Sequence, residues 1–410
     1  GGWAPALDGM AYLTASDTTT PGAHLAEVVT RYSVNVPTTD IRRRATFLAG
    51  RFLVIQDRAI TQYKGPGQAL QQHAYTFQLH GNGGGTSGGE FSLAQLGGVW
   101  TRPGARVRAA VASSKPLSLH SRLGIHDTGS RKITTHTVLD ATATARRGEP
   151  VTFVALMAPE AGAQPGGAVQ ISPCSPGPCL TWASAGLWCQ AWSGALREVL
   201  GAPDGAPLLE AGAGAYCRGA GTLSGVFDLS TDGVSGPLTS GRFRLDSAGQ
   251  TTGYVLRLHR PASAASAPRT TVTLDLPAVP GRVPSGACTF SSSRSSGGRA
   301  RWRVVTPGQA TLTTGPRMRR PVAHVQIPFL VPGQPATIPL GEGITLSGAG
   351  SCAGDEGSSL AYAWRLAARP ELSTLSIPAN QAPRREVTLQ PDLPGVYRLE
   401  LRVSAGGEVD

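Results

Sequence analysis

The sequence predicts an all-β chain built of antiparallel β-sandwich domains in tandem. Three observations carry this. Short runs rich in Val, Ile, Thr, Phe and Tyr alternate apolar and polar residues with period two, as at Tyr75, Phe77 and Leu79. The runs follow one another closely, with turns between them and no helical stretches long enough to act as crossovers. The 53 glycines and 32 prolines obey no strict period, which argues against collagen, and they punctuate the apolar runs, which argues against wholesale disorder.

The first unit is residues 1–160. Phe47-Leu-Ala-Gly-Arg-Phe52 reads as a tight hairpin turn through Ala49-Gly50, joining an arginine-studded strand (41–47) to an apolar one (52–55). Asp57-Arg58 ends that run. A strand follows over 73–80, and further strands are expected at 98–101, 106–112, 117–123, 136–144 and 151–157. Turn residues separate them, among them Arg102-Pro103-Gly104 and Ser114-Lys115-Pro116.

Residues 161–217 change character, to Ala, Gly, Pro and Cys, and read as a connector. Within them Trp188, Trp192, Ala195 and Val199 fall at helical spacing, so a short helix is expected near 187–200. A second β-rich domain of no recognised family is expected at 218–331, with a mobile Ser/Arg loop from Ser291 to Arg301. The last domain is 332–410.

The net charge is +11, and only Lys64, Lys115 and Lys132 are lysines among the 37 basic residues. An arginine excess of this kind arises either from the base composition of the coding DNA or from use against polyanions, for which guanidinium forks suit carboxylate and sulfate. No nucleic-acid reader motif or basic helix accompanies it, so nucleic acid is not the expected partner. No apolar run reaches membrane-spanning length. The chain opens Gly1-Gly2-Trp3 with no Met and no basic-then-apolar leader, and is read as a fragment or processed product of a longer protein.

Six cysteines, Cys174, Cys179, Cys189, Cys217, Cys288 and Cys352, sit among Pro, Gly and Ser. The even count favours disulfides and an oxidising compartment, with free thiols or a metal site as the alternatives. Cys174 with Cys179 closes a short loop, and Cys189 with Cys217 is a second plausible pair; spacing alone does not fix connectivity. The C-x4-C spacing is not that of a zinc knuckle.

Arg43-Arg44, then Phe52-Leu-Val-Ile-Gln-Asp57, then His73-Ala-Tyr-Thr-Phe-Gln-Leu-His80 together resemble the strand order of the C-terminal β-sandwich of heparinase II/III-like polysaccharide lyases. The likeness continues weakly to Pro159. It implies a secreted, extracellular or periplasmic bacterial protein that cleaves acidic, uronic-acid-containing polysaccharide by β-elimination. In that family a helical toroid supplies an Asn or His and a Tyr. The sandwich adds a His, often within H-x-H-x-(D/N), and a metal-associated Asp. This chain has neither toroid nor motif; before Thr30 only His24 is present. No catalytic residue and no cofactor is therefore assigned here, and a toroid and a metal ion are expected only in a full-length member. The rival reading is a non-catalytic extracellular glycan-binding or adhesion protein made of β-sandwich modules.

Further on, Ile344-Thr-Leu-Ser-Gly-Ala-Gly-Ser351, Leu360-Ala-Tyr-Ala-Trp364 and Pro391-Asp-Leu-Pro-Gly-Val-Tyr-Arg-Leu-Glu-Leu-Arg-Val403 resemble a PKD-like, immunoglobulin-type sandwich. Tyr362 and Trp364 share a strand face there, and Gly395 allows the bend before the final strand. Asp355 and Glu356 are either calcium ligands or a solvated turn.

The substrate-contact candidates are Arg42, Arg44, His80 and Asn82. Arg42 and Arg44 alternate to one hairpin face and Arg43 to the other. One face must meet a core, so either Arg43 or the pair is half-buried beside Asp40 or Asp57; the arginines toward solvent are the expected glycan contacts. His80-Gly-Asn82-Gly-Gly-Gly85 is a polar tip, or simply the end of a strand. His73 and His80, seven apart, face opposite sides. His120, His126-Asp127 and His136 lie close in sequence, but adjacent residues point apart on a strand, so no metal set is assigned.

Overall fold

The computed structural model describes residues 11–32, 38–62, 71–81, 83–127, 133–161, 169–175, 177–184, 186–193, 199–201, 207–209, 211–231, 234–245, 251–259, 269–277, 283–285, 289–294, 299–307, 310–315, 321, 323, 325, 338–351, 353, 359–405 and 408–409. The chain divides into two compact units, Gly1–Leu229 with Leu238–Gln250, and Ser230–Pro237 with Thr251–Asp410.

In the first unit the strands are β1 (Ala11–Asp17), β2 (Ala23–Tyr32), β3 (Thr39–Leu48), β4 (Phe52–Thr61), β5 (Gln72–His80), β6 (Glu90–Ala94), β7 (Gly97–Arg102), β8 (Ala105–Ser113), β9 (Leu117–Asp127), β10 (Ile133–Arg146) and β11 (Val151–Ala161). They are followed by β12 (Gln170–Pro173), β13 (Cys179–Ser184), β14 (Leu187–Ser193), β15 (Val199–Gly201), β16 (Pro207–Leu209) and β17 (Ala211–Gly219), then by β18 (Thr222–Thr231) and β19 (Val234–Leu245), whose residues 230–231 and 234–237 count with the second unit. The antiparallel hairpins predicted over 41–55 and 98–112 are present. At the first, Ala49 and Gly50 both take positive φ, 52° and 63°, the twist that a two-residue hairpin turn needs.

An eight-stranded sheet, ordered β1-β2-β3-β4-β11-β8-β7-β6, forms the middle of three layers. A three-stranded sheet, β5-β10-β9, covers one face, and strands β12-β13-β14-β17-β18-β19 cover the other. The cause is visible in β11, whose Val151, Phe153 and Ala155 pack toward the small sheet while Val154, Leu156 and Ala158 pack toward the third layer. A strand apolar on both faces must be covered twice. On the small-sheet side Phe77 stacks on Phe153 at 5.8 Å. On the other side Phe52 meets Trp182 edge-on at 5.7 Å.

The stretch expected as a connector, 161–217, therefore carries strands of the third layer. The helix expected near 187–200 is corrected: its described part is β14 and β15. Trp188 and Trp192 are four apart, a spacing that fits a strand face as well as a helix. Strand pairing decides, because Trp182, Cys189 and Cys217 lie side by side across β13, β14 and β17. Disulfides join Cys174 to Cys179 and Cys189 to Cys217, and no free cysteine occurs among the described residues. Cys288, Cys352, Asp355 and Glu356 lie outside the described residues.

The second unit contains β20 (Thr251–His259), β21 (Arg269–Pro277), β22 (Val283–Ser285), β23 (Thr289–Arg294), β24 (Arg299–Pro307) and β25 (Ala310–Gly315). Of these, β20, β25 and β22 are hydrogen-bonded neighbours in that order, and β21-β24-β23 is a three-stranded sheet. The Ser/Arg stretch expected as a loop is corrected in its described parts, which are paired strands: Ser291 pairs with Arg303 and Ser293 with Arg301, while 295–298 lie outside the described residues. Small hydroxyl residues satisfy strand geometry when a neighbouring strand supplies the ladder.

Finally β26 (Ile344–Ser347), β27 (Ala361–Ala368), β28 (Glu386–Leu389), β29 (Arg398–Ala405) and β30 (Glu408–Val409) make two small sheets, β26-β28 and β27-β29-β30. One core of Leu346, Trp364, Val387, Leu389, Leu401 and Val403 lies between them. The Tyr397 hydroxyl accepts from the Leu393 amide at 3.0 Å and donates within 2.9 Å of the Leu393 carbonyl and 2.8 Å of Asp392. That ties the start of β29 back to the preceding turn, as a tyrosine corner does.

Candidate functional site

The residues of the 43–80 strand order interlock. Arg43 on β3 stands opposite Asp57 on β4, with Nε at 2.8 Å from Oδ1 and Nη2 at 2.6 Å from Oδ2. The same guanidinium lies over the Phe77 ring, 5.4 Å from its centre. The hydrogen bonds to Asp57 hold the Arg43 proton even more firmly than usual, against partial burial. Tyr75 bonds Thr61 through its hydroxyl at 2.7 Å, so β5 is pinned over β4 at a second point. Alternation left open whether Arg43 or the Arg42–Arg44 pair is covered and whether the partner is Asp40 or Asp57; Arg43 takes Asp57. These side chains hold the small sheet onto the central one; they are scaffold.

The expectation of a solvent-facing Arg42–Arg44 pair is corrected. Arg44 is 4% exposed, with Nη2 at 2.9 Å from Glu27 and 2.6 Å from Asp228. Arg42, with a side chain 31% exposed, also reaches Glu27, at 2.9 Å. Alternation placed the two on one face, but that face is roofed by β18, which carries Asp228. Burial alone would raise the Glu27 carboxyl; Arg44 and Arg42 overcome it and hold it below its ordinary value. A buried guanidinium of this kind fixes one layer against another and does not reach a glycan.

The outer face of the small sheet is different. In the shared register, side chains line up across β9, β10 and β5 as Ser118–Thr142–Thr76, His120–Asp140–Gln78, Arg122–Val138–His80, and Gly124–His136. The inner face of β10 presents Leu139, Ala141, Ala143 and Ala145 to the core, so the alternate residues must point outward. Asp140 is the hub. It accepts from Gln78 Nε2 at 3.0 Å and from Arg122 Nε at 2.6 Å. His80 Nδ1 lies 3.0 Å from His136 Nε2, and His120 bonds Ser118 at 2.9 Å. His80 is exposed and His136 is buried.

The glycine-rich segment after His80 closes one end of this face. Gly81 lies against the Trp100 indole, where a Cβ would come within 2.3 Å of the ring. Trp100 in turn donates from Nε1 to the Thr137 carbonyl at 3.0 Å. Thr86 and Thr135 exchange backbone-to-hydroxyl bonds at 2.9 and 2.7 Å. So the end of β5 is held rigidly, and His80 is a fixed element. Asn82 lies outside the described residues.

The other histidines are dispersed. His73 bonds Arg147 at 3.1 Å on the same strand as His80 but away from it, as expected. His24 is exposed on β2, and His259 is buried in the second unit. Among the described residues no three His, Cys, Asp or Glu side chains are grouped to hold a metal ion. The face therefore offers hydrogen-bond donors and acceptors together with the exposed arginines Arg122 and Arg146, an arrangement for holding a polar chain. Sequence reasoning found His80 but missed Gln78, Arg122 and Asp140. The alternation of Asp140, Thr142 and Thr144 with alanines marks them as outward; which residues stand beside them depends on register.

Behind β9 lies an open groove of about 700 Å³, lined by Leu93, Leu96, Val111, Leu117, Leu119 and Lys115. Among the described residues no helix is long and apolar enough to cross a membrane.

No family model matches the chain, and no curated protein does. Among solved structures it is similar to the heparan sulfate lyase HepC from Pedobacter heparinus, at 16% identity and a TM-score of 0.33. A mutant of that lyase gives 16% and 0.32. Each match covers 42% of this chain and 26% of the lyase chain, so this chain spans about a quarter of that protein.

Proposed function

We propose that this chain is the all-β part of a secreted, heparinase II/III-like lyase acting on acidic, uronic-acid-containing polysaccharide, and that it supplies a wall of the substrate cleft. One observation carries the reading. The residues of the family-like strand order form a single interlocked group, Arg43 on Asp57 and Phe77, with the strand ending at the exposed His80. Such a lock lays the small sheet in a fixed position and leaves its polar face, with Gln78, His80, Arg122 and Asp140, open to a chain of sugars. β-Elimination needs a group that neutralises the carboxylate, a base for the C5 proton and an acid for the leaving oxygen. The polar face would contribute binding and charge; the base and acid belong to the toroid of the whole protein.

The rival reading, an extracellular glycan-binding protein of β-sandwich modules, draws on the last sandwich. Trp364 buried in its core and the Tyr397 corner fit a PKD-like module, and the two disulfides suit an oxidising compartment.

The test uses the purified chain on immobilised heparan sulfate and alginate at low salt, with absorbance of unsaturated uronate followed in parallel. Retention that Arg122→Ala weakens severalfold, without any rise in absorbance, is the expected result. Retention unchanged by Arg122→Ala and by His80→Ala would remove this face from the reading. Absorbance rising with the isolated chain would overturn the assignment of the chemistry to a toroid.

A further inference from the structure

β9 is the last strand of the small sheet. β10 pairs with one of its edges, and no strand among the described residues pairs with the other. Its 11 residues run without a bulge, and neither proline nor lysine lies within them, the devices that usually blunt an open edge. Leu117, Leu119, Ser121, Leu123 and Ile125 stand opposite Ala143, Ala141, Leu139, Thr137 and Thr135 of β10, so this row shares the inner face of the sheet. Leu117 and Leu119 pack partly against the core. Leu123 and Ile125 do not: they are 63% and 75% exposed. The Gly84-Gly85 segment abuts Thr137 and Thr135 on β10, while their apolar neighbours on β9 remain in solvent.

One edge thus carries two exposed apolar side chains toward one end and, toward the other, the open groove lined by Leu93, Leu96, Val111, Leu117 and Leu119. Antiparallel pairing of β9 with the same strand of a second copy, about a two-fold axis at Ser121, sets Leu119 opposite the partner's Leu123 and Leu117 opposite the partner's Ile125. The exposed pair of each copy then meets the groove of the other, which is what an isologous contact requires of a single surface. Moving the axis one residue either way sets Ser121 against a leucine. On the outer face Arg122 comes opposite the partner's His120. Arg122 is neutralised within its own copy by Asp140, and Lys115 at the groove by Glu149, so no unpaired cations face each other across the seam. β9 and the groove walls offer about twenty residues per copy, the lower end of a specific interface of about 800 Å² per partner.

We propose that the free edge of β9 is a contact between two copies of this chain, paired antiparallel about Ser121. The pairing satisfies the open N–H and C=O groups of the edge and takes Leu123 and Ile125 out of water. It continues the small sheet into that of the partner and joins the two polar outer faces into one surface. The contact stands on strand register, exposure and the groove, and is independent of the glycan reading.

Sedimentation of the whole chain over a range of concentrations reads the association. The parent is expected to dimerise. Ile125→Lys puts an unpaired charge into the seam and is expected to weaken the dimer at least about tenfold. The side chain is exposed in a single copy, so the variant folds as the parent does. Ser121→Cys supplies a second readout. Directly opposite Cα atoms of an antiparallel pair lie about 4.5–5.5 Å apart, within disulfide reach. Under mild oxidation Ser121→Cys is expected to give a covalent dimer, while the parent and Leu123→Cys, whose counterpart is Leu119, do not. A parent that stays monomeric at every concentration would overturn the proposal and leave the edge to a strand of another protein. A dimer that Ile125→Lys leaves intact would overturn it too, as would Leu123→Cys crosslinking as readily as Ser121→Cys.

Discussion

Arg44 Nη2 lies 2.6 Å from Asp228 Oδ1, although the two residues are 184 positions apart in sequence. This bond, with Glu27, joins the central sheet to the third layer through buried charge. Removing one partner of such a network leaves carboxylates facing a dry interface. Arg44→Met is expected to cost about 3 kcal/mol, Arg42 still partly compensating Glu27. Denaturant unfolding of parent and variant measures it; a loss within about 0.5 kcal/mol would mean that the pair is solvated.

The same network sets an acid limit. Glu27 is held below its ordinary value of 4.5 in the folded chain. A carboxyl depressed by folding contributes stability that is complete above its unfolded value and is lost as pH falls through the folded one. Asp17, with its carboxylate held by Ser240, Thr20 and Thr19 against burial, acts in the same sense. Melting temperature should therefore fall steadily as pH drops below about 4.5. In Glu27→Gln that slope should be shallower, by the share of one carboxyl.

The two disulfides should contribute unequally. Cys189–Cys217 spans 28 residues of sequence and Cys174–Cys179 spans 5. Loop-closure entropy gives about 3.5 kcal/mol for the first and about 2 kcal/mol for the second. Cys189→Ala with Cys217→Ala should lower the unfolding free energy by more than Cys174→Ala with Cys179→Ala. Thiol titration of the unfolded, unreduced chain should find none of these four free.

Gly81 has no room for a side chain, since a Cβ would enter the Trp100 ring. Gly81→Ala should cost about 1–3 kcal/mol and disturb the His80–His136 contact. Its reporters are denaturant midpoint and the histidine ring signals in NMR. Unchanged histidine signals would show that the loop and the polar face are independent.

Ala49 occupies the left-handed region at φ 52°. Asn accepts that conformation at less cost, so Ala49→Asn should stabilise by about 1 kcal/mol. For a unit of this size the melting temperature should rise by about 2–4 °C. A drop would mean that the Ala49 methyl, packed against the neighbouring core, matters more than its backbone angle.

Local signals in the sequence were enough for most strands of the first 160 residues and for the hairpin at Ala49-Gly50. Period-two alternation and turn residues act over a few positions, and the 73–80 and 136–144 strands form where their pattern sits. Asp57 was legible as one of two acids within reach of this hairpin, Asp40 being the other, but which arginine it would take was not. What alternation could not decide was which side of that hairpin would be covered. Trp188 and Trp192, four apart, satisfied helix and strand alike until the pairing of Cys189 with Cys217 fixed β14 between two others. The third layer also supplies Asp228, which with Glu27 holds Arg44 in the interior and engages Arg42. The sequence determined where strands with clear alternation lie and which of their residues share a face. The tertiary structure alone decided which face meets water, because burial depends on layers contributed by segments far away along the chain.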